Sequence, residues 1–318
     1  MAKLGSMAWG EKSDGILSST DRMKMLAGLV RAQLGETLSR LALNLGAYQQ
    51  QRRRIAPDRV VVPESSITRM ADELAAQHYS EPLRLHCLRT FFFGQLWAQF
   101  HGLRIDAETL YVASLLHDLG LTGHFHQQTA CCGFAIVGAR SARDLAASQQ
   151  WPPERQRAVY EAISYHLNPY LSLAHHEPEA VCLQRAAHLD VIGAGHHLLP
   201  DSAITKVHAD YPRTGFREEI LASMTEVVHA RPVCQPESIH RLSELSSISE
   251  PEVQEPVSCL NRQPSCPIIR SRRIPSWRNA HVVSSRPNTS CASSQKPMPA
   301  SMVSSGSCYA AKSSTTAS

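Results

Sequence analysis

Four ionisable side chains in the middle of this 318-residue chain stand where helical periodicity calls for apolar ones: His86, His117, His166 and Asp190. The His117-Asp118 pair, within Leu-Leu-His-Asp-Leu-Gly (115–120), closes an otherwise apolar run. Positions three, four and seven apart share a helix face. On that basis His86 lies with Leu83, Thr90, Phe93 and Trp97, and His117 lies with Leu110, Ala113 and Ser114. His166 follows Val159, Ala162 and Ile163, while Asp190 sits among Leu183, Ala186, Ala187 and Ala194. Thirteen of the 16 histidines fall between His78 and His208, which concentrates the chemistry in that stretch.

Burying such groups costs several kcal/mol unless each is hydrogen-bonded or satisfied by a cation. Singly, an inward histidine is an ordinary hydrogen-bonded core residue and an inward aspartate an ordinary cap. Several together are served at once by one divalent cation, which accepts histidine nitrogen and carboxylate oxygen and leaves a position for water. A water so held has its pKa lowered toward ~7. His166 could act beside it as acid or base, or complete the coordination shell, and the second oxygen of Asp118 could orient the water. The mixed His/Asp set suits Zn, Fe, Mn or Co. It favours catalysis over a closed structural site in a non-catalytic binding or regulatory module.

The order His86, His-Asp (117–118), Ala-Ile-Ser-Tyr-His (162–166) and Leu-Asp-Val-Ile-Gly (189–193) resembles the HD-domain superfamily of metal-dependent hydrolases. Within it, His-Cys-Leu-Arg-Thr (86–90), His-Asp-Leu-Gly-Leu-Thr (117–122) and Val-Gly-Ala-Arg-Ser-Ala (137–142) are most similar to the cyanamide-hydratase-like branch. The resemblance covers about 66–225 and implies an all-α bundle. It also implies one metal held by His86, His117, Asp118 and Asp190. Leu121 stands where many HD phosphohydrolases have Lys, and no His near Phe134 to Gly138 offers a second-metal ligand. The reaction expected is hydrolysis of a small substrate, a phosphoester among the options, with addition of water to a C≡N group as the second reading. Arg89, one turn after His86, is a candidate for receiving an anionic substrate or else a salt-bridge partner. His175 and His176 are candidate additional ligands in a polar connection after Asn168-Pro169.

The elements that must position these residues are helices. Apolar spacing and caps predict them at 66–78, 82–101, 107–119, 130–148, 153–167, 178–197 and 213–228, with Asp106 as a cap and Pro152-Pro153 at a start. A long amphipathic helix from Thr20 to Ala47, carrying Met25, Leu29, Leu34, Leu38, Leu41 and Leu45, would pack on the bundle or pair with a second copy. Residues 1–19 read as loose. The domain organisation expected is an N-terminal extension over 1–62, a metal-dependent helical domain over 63–230 and a tail over 231–318. That tail holds 21 Ser and 10 of the 19 Pro, a composition that cannot offset the entropy of ordering, so it reads as disordered or as a shifted reading frame.

A 43% hydrophobic content supports a substantial core, and the net charge of +4 is mild. The basic runs at Arg52-Arg53-Arg54 and 270–278 are short, and short basic runs are usually solvated, which argues against nucleic-acid binding. Nine cysteines without a Cys-x-x-Cys pair suggest neither a disulfide framework nor a zinc ribbon. No run approaches the ~20 apolar residues of a membrane span. The expectation is a cytoplasmic enzyme acting on a small molecule.

Overall fold

A computed structural model describes residues 2–125 and 132–230. The tail expected over 231–318 lies outside the described residues. Among those described, the architecture is all-α: α1 (Met7–Ser13), α2 (Ser19–Asn44), α3 (Gln49–Arg53), α4 (Ser66–His78), α5 (Glu81–His101), α6 (Ala107–Leu116), α7 (Phe134–Ser148), α8 (Pro153–Tyr165), α9 (Pro178–Ile192), α10 (Asp201–Asp210) and α11 (Phe216–Ala230). No helix among them is long and apolar enough to cross a membrane.

The helix ends follow local chemistry. Ser65 caps α4 in a capping box with Thr68, and Ser80 caps α5, whose first turn carries Pro82. Gly102 ends α5 at φ 64°, a left-handed conformation that glycine adopts without steric cost. Asp106 accepts from the backbone N–H groups of Glu108 and Thr109 at the start of α6. Helix α5 is buried on nearly every side, from Leu83 to Phe100. It therefore forms the axis of the bundle. Helices α6, α9 and α11 pack against it, α8 lies against α6, α7 and α9, and α4 covers α6. The main core runs through Leu83, Phe91, Leu110, Leu115, Phe134, Tyr160 and Ile163.

The N-terminus departs from expectation. Residues 2–19 are not loose: Leu4, Trp9 and Leu17 join Met25, Cys132, Ile136 and Val137 in a small apolar cluster. The Trp9 indole donates to Asp21 at 3.3 Å, and Asp21 completes the capping box begun by Ser18. The cap of α2 is thus Ser18. Helix α2 does not bury its leucine face either: Leu34, Leu38, Leu41 and Leu45 are exposed. Helices α1, α3 and α10 carry too few periodic apolar residues to declare themselves in the sequence. The Val60-Val61-Val62 segment is extended but belongs to no sheet.

Candidate metal centre

His117 and His166 occupy equivalent places. Each stands one residue past the end of a helix, His117 after α6 and His166 after α8. The last carbonyls of a helix lack intrahelical donors, and both imidazoles use one of them. His117 Nδ1 lies 2.8 Å from the Ser114 carbonyl, and His166 Nδ1 lies 2.6 Å from that of Ile163. Because a carbonyl only accepts, the ring proton of each histidine is on Nδ1. Each Nε2 therefore presents a bare lone pair.

His86, in the first half of α5, is fixed the same way by a carboxylate. Its Nδ1 donates to Asp190 Oδ2 at 2.7 Å, and the Phe216 ring stacks on it with centroids 4.6 Å apart. Asp190 is fully buried on α9. Burial alone would raise its pKa, but His208, His86 and Arg89 outweigh burial and hold the carboxyl well below its ordinary value. It is an acceptor, so His86 also turns a bare Nε2 inward.

The consequence is a convergence of lone pairs. His86 Nε2 and His117 Nε2 face each other at 3.2 Å, and Asp118 Oδ2 lies 3.5 Å and 3.3 Å from them. The ligand atoms of these three buried residues all lie within 4.8 Å of one another. Two imidazole lone pairs and a carboxylate pointed at one buried spot repel unless a cation joins them, so the donor set fits a divalent metal. His166 flanks the group, with Nε2 3.8 Å from Asp118 Oδ1 and its ring 4.9 Å from that of His117. Burial, joined by the neighbouring His117, lowers the His166 pKa to about 3. Burial also lowers that of His117, against the pull of Asp118. Both rings are neutral at physiological pH.

Two close glycine approaches hold the His-Asp bend in place. Gly138 on α7 lies against the carbonyls of Leu116 and His117, and Gly120 against the backbone of Phe134. A Cβ at either position would strike backbone rather than a movable side chain, so the 116–120 bend and α7 approach this closely only with glycine at both.

The other sequence candidates are placed differently. Asp190 sits on the Nδ1 side of His86, with both oxygens also engaged by the Arg89 guanidinium at 2.9 to 3.0 Å. It lies behind His86 rather than beside the facing Nε2 atoms. Arg89 is neither a surface group nor a free anion receptor: it is fully buried, and its Nη1 donates to the Pro212 carbonyl at 2.7 Å. His175 is exposed, and His176 is half-buried against the Tyr165 ring with its Nδ1 at the Ser172 carbonyl. Neither is brought to the cluster.

Sequence reasoning missed the outer ring of the site. Arg213 Nη1 and His208 Nε2 stand 3.6 Å and 3.9 Å from Asp190 Oδ1, and Phe216 covers His86. Tyr79, buried beside Cys87, has Asp118 in its electrostatic surroundings. No periodic signal marks them: Tyr79 and Arg213 lie in links, Phe216 starts α11, and His208 lies in the last turn of the short α10. Only the density of histidines around His208 hinted at its place.

Residues 84–192 match the HD domain family. Two curated relatives from Saccharomyces cerevisiae (strain ATCC 204508 / S288c), Cyanamide hydratase DDI2 and Cyanamide hydratase DDI3, are each 29% identical to this chain over 161 residues, 49% of this chain and 71% of the relative. The matched stretch contains His86, His117, Asp118, His166 and Asp190 and the helices that carry them. Residues 84–192 are thus the part of this chain that is similar to the HD domain family.

Proposed function

We propose that the chain is a metal-dependent enzyme that adds water to a small uncharged substrate, a C≡N group of the cyanamide type being the best supported. The observation that carries this reading is the pair of bare Nε2 atoms facing one another beside Asp118, a buried arrangement that calls for a cation. His86, His117 and Asp118 would hold it. A divalent cation bound there supplies Lewis-acid polarisation and a water whose pKa is lowered toward ~7.

The chain's own residues do the rest. Asp190 and the Ser114 carbonyl fix the tautomers of His86 and His117, so both donors are oriented before any ligand arrives. Asp118, with Oδ2 toward the two histidines and Oδ1 toward His166, can orient a water through its second oxygen. His166 presents a neutral Nε2 that can receive a proton from that water and return it to the substrate nitrogen. The apolar walls from α5, α6 and α8 keep bulk water from the reacting atoms.

The substrate reading rests on charge. A phosphoester needs cationic groups on its developing negative charge, and the guanidiniums of Arg89 and Arg213, which stand beside Asp190, both turn to that carboxylate. Leu121 stands where a Lys could have served. A small neutral nitrile needs no such group, and the two relatives carry the name cyanamide hydratase. The test is metal content of the purified full chain by mass spectrometry, then cyanamide hydration against a panel of phosphomonoesters, with and without chelator. Chelator-sensitive formation of urea supports the reading. Turnover of phosphoesters alone would return it to the broader hydrolase class, and a metal-free, inactive protein would leave a regulatory module.

A further inference from the structure

Helix α2 is amphipathic in the inverse sense. Beyond Met25, which is buried in the N-terminal apolar cluster, its body-facing side is held largely by polar or small groups: Glu36 accepts from the Gly195 backbone N–H, Ser39 bonds His197, and Gly28 lies over Pro169 and Tyr170. The opposite side carries Met23, Leu26, Val30, Leu34, Leu38, Leu41 and Leu45, three or four residues apart and 53 to 80% exposed. This is one continuous apolar stripe over six helical turns, with nothing among the described residues against it.

We propose that this stripe is a homodimer interface in which α2 pairs antiparallel with α2 of a second copy about a two-fold axis at Leu34. The spacing is self-complementary. Measured from Leu34, Met23 and Leu45 lie equally far on either side, as do Val30 and Leu38, while Leu26 and Leu41 differ by one residue. An isologous contact needs this symmetry, because residue i meets j and j meets i.

Charge supports the same register. The exposed charges Arg22, Lys24, Arg31 and Arg40 then stand opposite Gly46, Asn44, Thr37 and Gly28, so no like charges meet directly. Antiparallel pairing also opposes the two helix dipoles favourably. Gly35, beside the axis, has open space around it and allows close approach. The exposed stripe amounts to roughly 700 Å² per copy, near the ~800 Å² per partner of a stable specific interface.

Sedimentation velocity of the full chain tests this. The wild type is expected to run as a dimer at micromolar concentration, and Leu34→Glu and Leu34→Lys each as a folded monomer by circular dichroism. An equimolar mixture of the two variants is expected to recover the dimer, since opposite charges then meet across the axis. A monomeric wild type overturns the proposal, whether the stripe is then covered by the chain's own remaining residues or by another partner. So does a Leu34→Glu variant that stays dimeric. Failure of the mixture to reassociate overturns the register centred on Leu34.

Discussion

One carboxylate, Asp190, receives both the Nδ1 proton of His86 and the fork of Arg89, all three fully buried. The aspartate therefore does two jobs, setting a tautomer on one side and neutralising a buried guanidinium on the other. Removing one partner of a buried pair costs about 3–5 kcal/mol, because the other charge is left uncompensated. Asp190→Asn should lose that order of stability in urea denaturation. Metal affinity should fall by roughly 10–100-fold, as for other groups that orient a ligand from behind.

The roles of the inner residues separate by readout. His117→Ala and Asp118→Ala should lose bound metal and activity together. His166→Ala should keep its metal, by mass spectrometry, while kcat falls by roughly 10²–10⁴-fold.

Gly138→Ala places a methyl against the carbonyls of Leu116 and His117, which cannot turn away. Overpacking of this kind costs about 1–3 kcal/mol, and it should also weaken metal binding by displacing the His-Asp bend. Gly123→Ala meets nothing within 4 Å and should change metal binding little. Thermal melts and metal titrations of the two variants check this.

The sequence exposed the inward residues because they break an apolar period: His86 on α5 and Asp190 on α9 stand on faces otherwise filled by Leu, Phe and Ala. Helices α4 to α6 and α8 were legible from Ser, Asp and Pro signals at their starts. What periodicity could not convey was direction. Arg89 shares a helix with His86 but turns to Asp190, a contact 101 residues away in the chain. Likewise the spacing of Leu34 and Leu38 left packing on the bundle and pairing with a second copy both open, and it is Glu36 and Ser39, on the opposite side, that make the contacts.

Acid should weaken the protein through Asp106. Burial alone would raise the pKa of this carboxyl, but hydrogen bonds from Thr109 and the Arg155 guanidinium hold it below the ordinary value. A depressed carboxylate stabilises the fold fully above its unfolded pKa, near 3.9. That contribution is lost as pH falls from there through the lower folded value. Urea midpoints of the wild type should therefore drop below about pH 4 more steeply than those of Asp106→Asn. The variant retains the cap oxygen but not the charge.

Arg89 reaches from the middle of the bundle to the carbonyl of Pro212, just ahead of α11, and Phe216 at the start of α11 lies over His86. The last helix among the described residues is thus latched to the reactive core through a guanidinium and a ring, beside its buried Ile220 and Val227. Shortening the polypeptide before residue 211 would strip that latch, which lies 20 to 24 positions beyond the matched HD segment, and leave a salt-bridged pair and an imidazole inside that segment open to solvent.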